Sequence, residues 1–183
     1  MSAGMQEFQS SFVKALVAEL PAFLACFPPV AEADYLPGLA ALDLAWIESR
    51  LALDAAVLAP ADVFALTAEQ LLHGRLVPHP AARWLSFAVP AFTIWRHQLE
   101  DRRLARPLSR RSESVLLTRP NGRVGWHAID AGEAHFMAAC ASGRSCDDAL
   151  QGALDAGLGF DLALSLPRLV RAGAFTRVDI ESS

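Results

Sequence analysis

Lysine is almost missing from this chain. Lys14 is the one lysine in 183 residues, and arginine supplies the rest of the 16 basic side chains. That bias reads as genome composition, not function. Cysteine is scarce too. Cys26, Cys140 and Cys146 form an odd set with no CxxC, which argues against a disulfide framework and suits a reducing compartment. No apolar run is long enough for a membrane helix, which needs about 20 residues. Phe12 to Val30 comes nearest, but Lys14, Glu19, Pro21, Pro28 and Pro29 interrupt it. The N-terminus has no signal-peptide pattern, so the expected location is the cytoplasm, away from membranes. Basic excess is also lacking. The net charge of −4 opposes general nucleic-acid affinity, which comes from neutralising phosphates.

Catalytic patterns are lacking as well. There is no GxSxG, no phosphate-cradling glycine loop and no supported Cys/His pair. His73 with His79, and His127 with His135, do not have metal-ligand spacing such as HExxH. The expectation is a chain with no catalytic residue, no metal and no cofactor, which is not an enzyme by itself. Cys140 and Cys146 read as buried free thiols.

What the chain does have is apolar content. Hydrophobic residues make up 53% and charged residues 20%, against the usual ~45–50% and ~25%. This is a core-rich globular chain. Phe8, Phe12 and Leu16 share a stripe of a predicted helix over Met5 to Leu20. Asp34 is the expected cap of a second helix reaching about Leu53, with Leu39, Leu42, Trp46 and Leu53 on its apolar face. Pro60 starts a short helix. Thr67 with Gln70 marks a capping box for another. Arg75 to Pro80 must be extended around its prolines. Arg83 to Phe87 alternates as a strand, and Val89 to Leu99 reads as a helix. Trp46, Trp84 and Trp95 read as core.

The stretch from Ser112 to Ile180 organises the rest. A strand over Ser114 to Arg119 meets Pro120-Asn121-Gly122, a hairpin signal because Asn and Gly both tolerate positive φ. A second strand covers Arg123 to Ile129. Three helices follow, capped by Asp130 (with Glu133), Ser145 and Asp161, and stopped by Gly143, Gly157 and Gly173. Pro167 predicts a kink in the third, or a restart near Ser165. A last strand spans Phe175 to Ile180. The expected fold is mainly α with a small antiparallel sheet (α+β): a helical N-terminal domain over 1–100, an Arg-rich linker over 101–111, and a winged helix-turn-helix over 112–183.

The order of that last part, with Gly143-Arg144-Ser145, Phe160-Asp161, Leu166, Leu169 and Gly173, resembles the peptide-recognition elements of peptide-modifying pathways, typified by the small chaperone of pyrroloquinoline quinone synthesis. A second resemblance covers more of the chain. Tyr35-Leu36-Pro37-Gly38-Leu39-Ala40-Ala41-Leu42-Asp43-Leu44-Ala45-Trp46 looks like the YLPDLARLEWA signature of the HvfC/BufC family. Arg75 to Leu85 looks like its RL-HPSLRLL strand, and Val89 to Trp95 like its PV-IW segment. The family carries a DNA-binding label. Many members are partner subunits of multi-iron TIM-barrel oxidases that modify cysteines of a ribosomally made precursor peptide, as in methanobactin biosynthesis. One departure is that the family's YRNN segment is absent here, which weakens the DNA-binding label.

The resemblance implies a non-catalytic partner subunit that binds a precursor (leader) peptide and docks onto such an oxidase as a heterodimer, the iron belonging to the oxidase. Recognition would proceed by strand addition. The expected peptide-binding residues are Arg123, Val124, Gly125, Trp126 and His127 on the edge strand, with Leu162, Leu166 and Arg168 on the groove wall. The competing reading is a strand buried by the N-terminal helices. Trp126 belongs to one of two alternating faces, beside a glycine of the kind that marks close backbone approach. Arg102, Arg103, Arg106 and Arg110 are the expected oxidase-docking residues. The same arginine run, from Arg102 to Arg123, also reads as a nucleic-acid patch or a solvated linker. The alternative function is a winged-helix transcriptional regulator.

Overall fold

In the computed structural model, residues 19–27, 33–103 and 108–180 are described. The elements, in chain order, are α1 (Leu36–Leu51), α2 (Pro60–Phe64), α3 (Ala68–His73), β1 (Arg75–Pro78), β2 (Arg83–Phe87), α4 (Ala91–Leu99), β3 (Glu113–Thr118), β4 (Gly125–Ile129), α5 (Ala131–Ala141), α6 (Cys146–Asp155), α7 (Leu162–Arg171) and β5 (Phe175–Asp179). Residues 19–26 are also helical. Helices and two small sheets make this an α+β chain. The stripe of Phe8, Phe12 and Leu16 lies outside the described residues.

The chain divides into two compact units, Met1–Ile47 with Phe87–Ser112, and Glu48–Ser86 with Glu113–Ser183. The expected linker at 101–111 falls inside the first unit and does not coincide with this division.

In the first unit, Leu39, Leu42 and Ala45 are buried on α1, and Ala91, Phe92, Ile94 and Trp95 on α4. Gly38 allows the two helices to approach closely. A Cβ there would sit 2.6 Å from the Ala91 Cβ. Trp95 donates its indole N–H to Asp43 Oδ1 at 2.8 Å, and its ring lies 5.6 Å from that of Trp46. Asp34 is not the cap expected of it. The helix starts two residues later at Leu36, and the Asp34 carboxylate pairs with Arg110. At the other end the helix stops at Leu51, so Leu53 lies beyond it, 80% exposed.

The second unit holds one large core, in which Phe136 stacks on Phe160 with centroids 4.8 Å apart. The capping boxes form as expected. Thr67 Oγ1 accepts from Gln70 N at 3.2 Å, and Asp130 Oδ1 accepts from Glu133 N at 2.7 Å. Gly143, Gly157 and Gly173 all have positive φ at the helix stops. The hairpin turn differs from expectation. Thr118 pairs with Gly125, leaving six residues between the strands, and only Gly122 in that loop takes a positive φ. Arg123 and Val124 therefore lie in the loop, and β4 starts at Gly125. Pro167 does not make the third helix restart near Ser165: α7 runs from Leu162 to Arg171 with the proline inside it. Asp161 Oδ1 accepts from Ala163 N and Leu164 N at its start, and Leu166, Leu169 and Val170 are buried on either side of the proline. That burial outweighs one missing backbone bond.

The strand pairing draws on both halves of the sequence. β5 pairs antiparallel with β1, Leu76 opposite Val178. β2, β3 and β4 form a second sheet in that order. Val115, Leu116 and Leu117 are all fully buried. Successive strand residues point to opposite faces, so β3 is covered on both, as a central strand should be.

Candidate functional site

Because β3 is central, β4 is an end strand. Among the described residues it has a neighbour on one side only. Its sequence, Gly-Trp-His-Ala-Ile, contains no Arg, Lys, Asp or Glu. Each of the other strands carries one: Arg75, Arg83, Glu113, or Arg177 with Asp179. Charged side chains on edge strands blunt further pairing, and β4 has no such guard. A Cβ added at Gly125 would meet nothing within 4 Å, so the space beside the start of β4 is open.

The register assigns the two faces. Leu116 lies opposite His127, and Leu117 opposite Trp126. Residues opposite one another across a ladder share a face. Leu116 belongs to the core of the second unit, so Gly125, His127 and Ile129 are on the core-side face. Trp126 and Ala128 are on the other. Trp126 is half-buried there.

A pocket of about 150 Å³ opens between β4 and α7, with Leu116, Leu169 and Ala172 among its apolar lining and His127, Glu133 and Arg168 as its polar side chains. Arg168 is its cation. Its Nη2 donates to the Ala128 carbonyl at 3.5 Å, and its Nη1 lies 3.3 Å from Glu133 Oε1. Glu133 Oε2 accepts from Asp130 N at 3.0 Å, whereas Oε1 is buried with no hydrogen bond. Burial, and next the Arg168 guanidinium, lower the pKa of His127, so its imidazole favours the neutral form.

The expected site is thus divided. His127 and Arg168 meet at this pocket. Leu162 and Leu166 do not. They line a separate apolar groove of about 540 Å³ between α7 and the α2–α3 segment, with Val63, Phe64, Leu71 and Val170. Arg123 is an exposed loop residue. Glu133 was legible in the sequence as a capping residue; its role as the partner of Arg168, 35 positions away, has no local signal.

The arginine run also separates. Arg119 is not a surface charge. Its side chain is 9% exposed, and it donates to the carbonyls of Ser49 and Ala52 and to Asp54 Oδ1. Arg102 pairs with Glu100, and Arg110 with Asp34. Arg103 is exposed, and Arg106 lies outside the described residues.

His79 is a structural histidine. It is 3% exposed, its Nδ1 accepts from Ala81 N at 3.0 Å, and its Nε2 donates to the Ala55 carbonyl at 3.1 Å. Cys140 and Cys146 are buried free thiols, and burial raises both pKa values, that of Cys146 to about 11. Among the described residues no group of three or more His, Cys, Asp or Glu side chains is placed to hold a metal. None of the described helices is long and apolar enough to cross a membrane. No protein-family model matches the chain, and a comparison with curated proteins finds no match.

Proposed function

We propose that this chain is a non-catalytic partner subunit that holds a ribosomally made precursor peptide along the outer edge of β4 and presents it to a multi-iron oxidase of the TIM-barrel class. The observation that carries the peptide half is β4 itself: an end strand without a charged residue, open beside Gly125, with a polar pocket along its core side. Strand addition supplies affinity through the backbone and selectivity through side-chain pockets, and this edge offers both. The oxidase half rests on the motif resemblance at Tyr35 to Trp46, Arg75 to Leu85 and Val89 to Trp95. Peptide binding would occupy the second unit. Arg102, Arg103, Arg106 and Arg110 are the proposed docking cations.

Amide hydrogen exchange on the full chain tests the peptide half, using short peptides selected on it from a random library. The expected result is slowed exchange within Gly125–Ile129. Gly125→Pro removes a donor and should abolish binding, while Gly125→Ala, which meets no atom of the protein, should keep the melting temperature unchanged. Protection elsewhere, with β4 unaffected, would overturn the reading. Co-expression with a multi-iron oxidase tests the other half: a stoichiometric heterodimer on size exclusion supports it, and two separate peaks sink it.

A further inference from the structure

The pocket beside β4 contains a cation held from behind and open in front. Glu133 fixes its inner side. That carboxylate is 1% exposed and is held by the α5 cap through its Oε2. Its Oε1 has no hydrogen bond and faces Arg168 Nη1 at 3.3 Å. Among the described residues the guanidinium has one further polar partner, the Ala128 carbonyl at 3.5 Å. Both separations exceed the usual N–H···O range. The Arg168 side chain remains 57% exposed, and a guanidinium has five N–H donors. Two contacts leave most of them available at the sheet edge.

A segment added to β4 would place every second side chain on the core-side face, the face of His127. There it would meet Arg168, whose guanidinium reaches the Ala128 carbonyl of β4. A cationic side chain would be repelled. An apolar one would strip water from a half-exposed guanidinium without replacing its hydrogen bonds. A carboxylate can accept two parallel N–H bonds from it, and Glu133 has already oriented the fork. Resting on the peptide-holding reading above, we propose that Arg168 is the specificity-determining contact of this edge, and that it takes an aspartate or glutamate side chain of the docked segment.

The probes are short random peptides, N-acetylated and C-amidated so that any carboxylate selected is a side chain and not a chain terminus. Selection runs in parallel on the full chain and on its Arg168→Gln and Arg168→Glu variants. Amide exchange at Gly125–Ile129 then reports where each selected peptide sits. The expected result is Asp or Glu enriched at one peptide position on the unaltered chain. The preference disappears with Arg168→Gln and turns to Lys or Arg with Arg168→Glu. Replacing the selected acid by its amide should weaken binding about fivefold, the upper end for a partly exposed ion pair. Peptides that protect β4 without an acid preference overturn this proposal and leave the peptide-holding reading standing. So does an acid preference that survives Arg168→Gln. Peptides that protect another surface, or none selected at all, overturn both. Melting temperatures accompany each variant. Should Arg168→Glu fail to fold beside Glu133, Arg168→Gln decides alone.

Discussion

Arg119 donates its Nε–H to the carbonyl of Ser49, 70 positions earlier in sequence, at 3.0 Å. The same guanidinium reaches the Ala52 carbonyl and the Asp54 carboxylate, both at 2.7 Å. One side chain thus takes the Ser49 carbonyl in the last turn of α1 and the Ala52 carbonyl just past its end at Leu51. Hydrogen bonds from charged donors contribute about 1.5–3 kcal/mol each, and buried acceptors left alone cost a further share. The Asp54 arm adds little, since that carboxylate is 91% exposed. Arg119→Lys keeps the charge but not the fork. It should cost about 2–4 kcal/mol, a fall of roughly 5–15 °C in melting temperature. A melting curve that does not move would show that the clamp contributes nothing.

The Glu133–Arg168 pair should behave asymmetrically. Glu133 is buried and serves the α5 cap as well, whereas Arg168 is half in water. Glu133→Ala loses the cap and leaves a void, at about 2–4 kcal/mol. Arg168→Gln should cost about 1 kcal/mol, because solvent screens the exposed partner. A double-mutant cycle with Glu133→Gln should give a coupling under about 1 kcal/mol. A larger coupling would mean the pair is tighter than its 3.3 Å separation indicates.

His127 should titrate below its ordinary value of about 6.5, because burial and then the neighbouring Arg168 lower it. The fold therefore prefers the neutral ring. Its contribution is intact above the unfolded value and is lost as pH falls through the depressed one. Arg168→Gln should move the midpoint up only part of the way, since burial, the larger cause, remains. Imidazole proton shifts followed by NMR give both midpoints. A midpoint at or above the ordinary value in the unaltered chain would contradict the arrangement.

The three cysteines should separate cleanly by reactivity. Cys26 is exposed, while Cys140 and Cys146 are buried with pKa values raised chiefly by that burial. Only the thiolate is nucleophilic. A colorimetric thiol titration at neutral pH should count one fast thiol in the native chain and three in denaturant. Fast labelling of Cys140 without unfolding would show that the α5–α6 contact opens readily.

What the sequence revealed was local. Asp130 with Glu133, Ser145 and Asp161 cap the three helices where their side chains predict, because a cap is a contact within three residues. The divided site was also partly legible. Leu162, Leu166 and Val170 recur every four residues and share a stripe, while Arg168 stands two positions from Leu166, on another side of the helix. α7 therefore lines two separate cavities, one with Leu162 and Leu166 and the other with Arg168. Asp34 misled because an aspartate before an apolar run is a good cap on paper, yet a distant arginine competes for it. Strand partners were out of reach altogether. Nothing in Arg75–Pro78 names Phe175–Asp179 as its neighbour.

That pairing also sets the order in which the second unit can assemble. β1 is synthesised about a hundred residues before β5, so a growing chain carries Leu76 and Val77 on an unzipped backbone until residue 179 clears the ribosome. Contacts of such high sequence separation close late and slowly. Until they do, the nascent chain exposes a strand that any other extended segment can claim. Production of this protein should therefore be limited by events during translation, where a holdase chaperone that shields β1 would raise the soluble yield more than lowering the temperature after synthesis is complete.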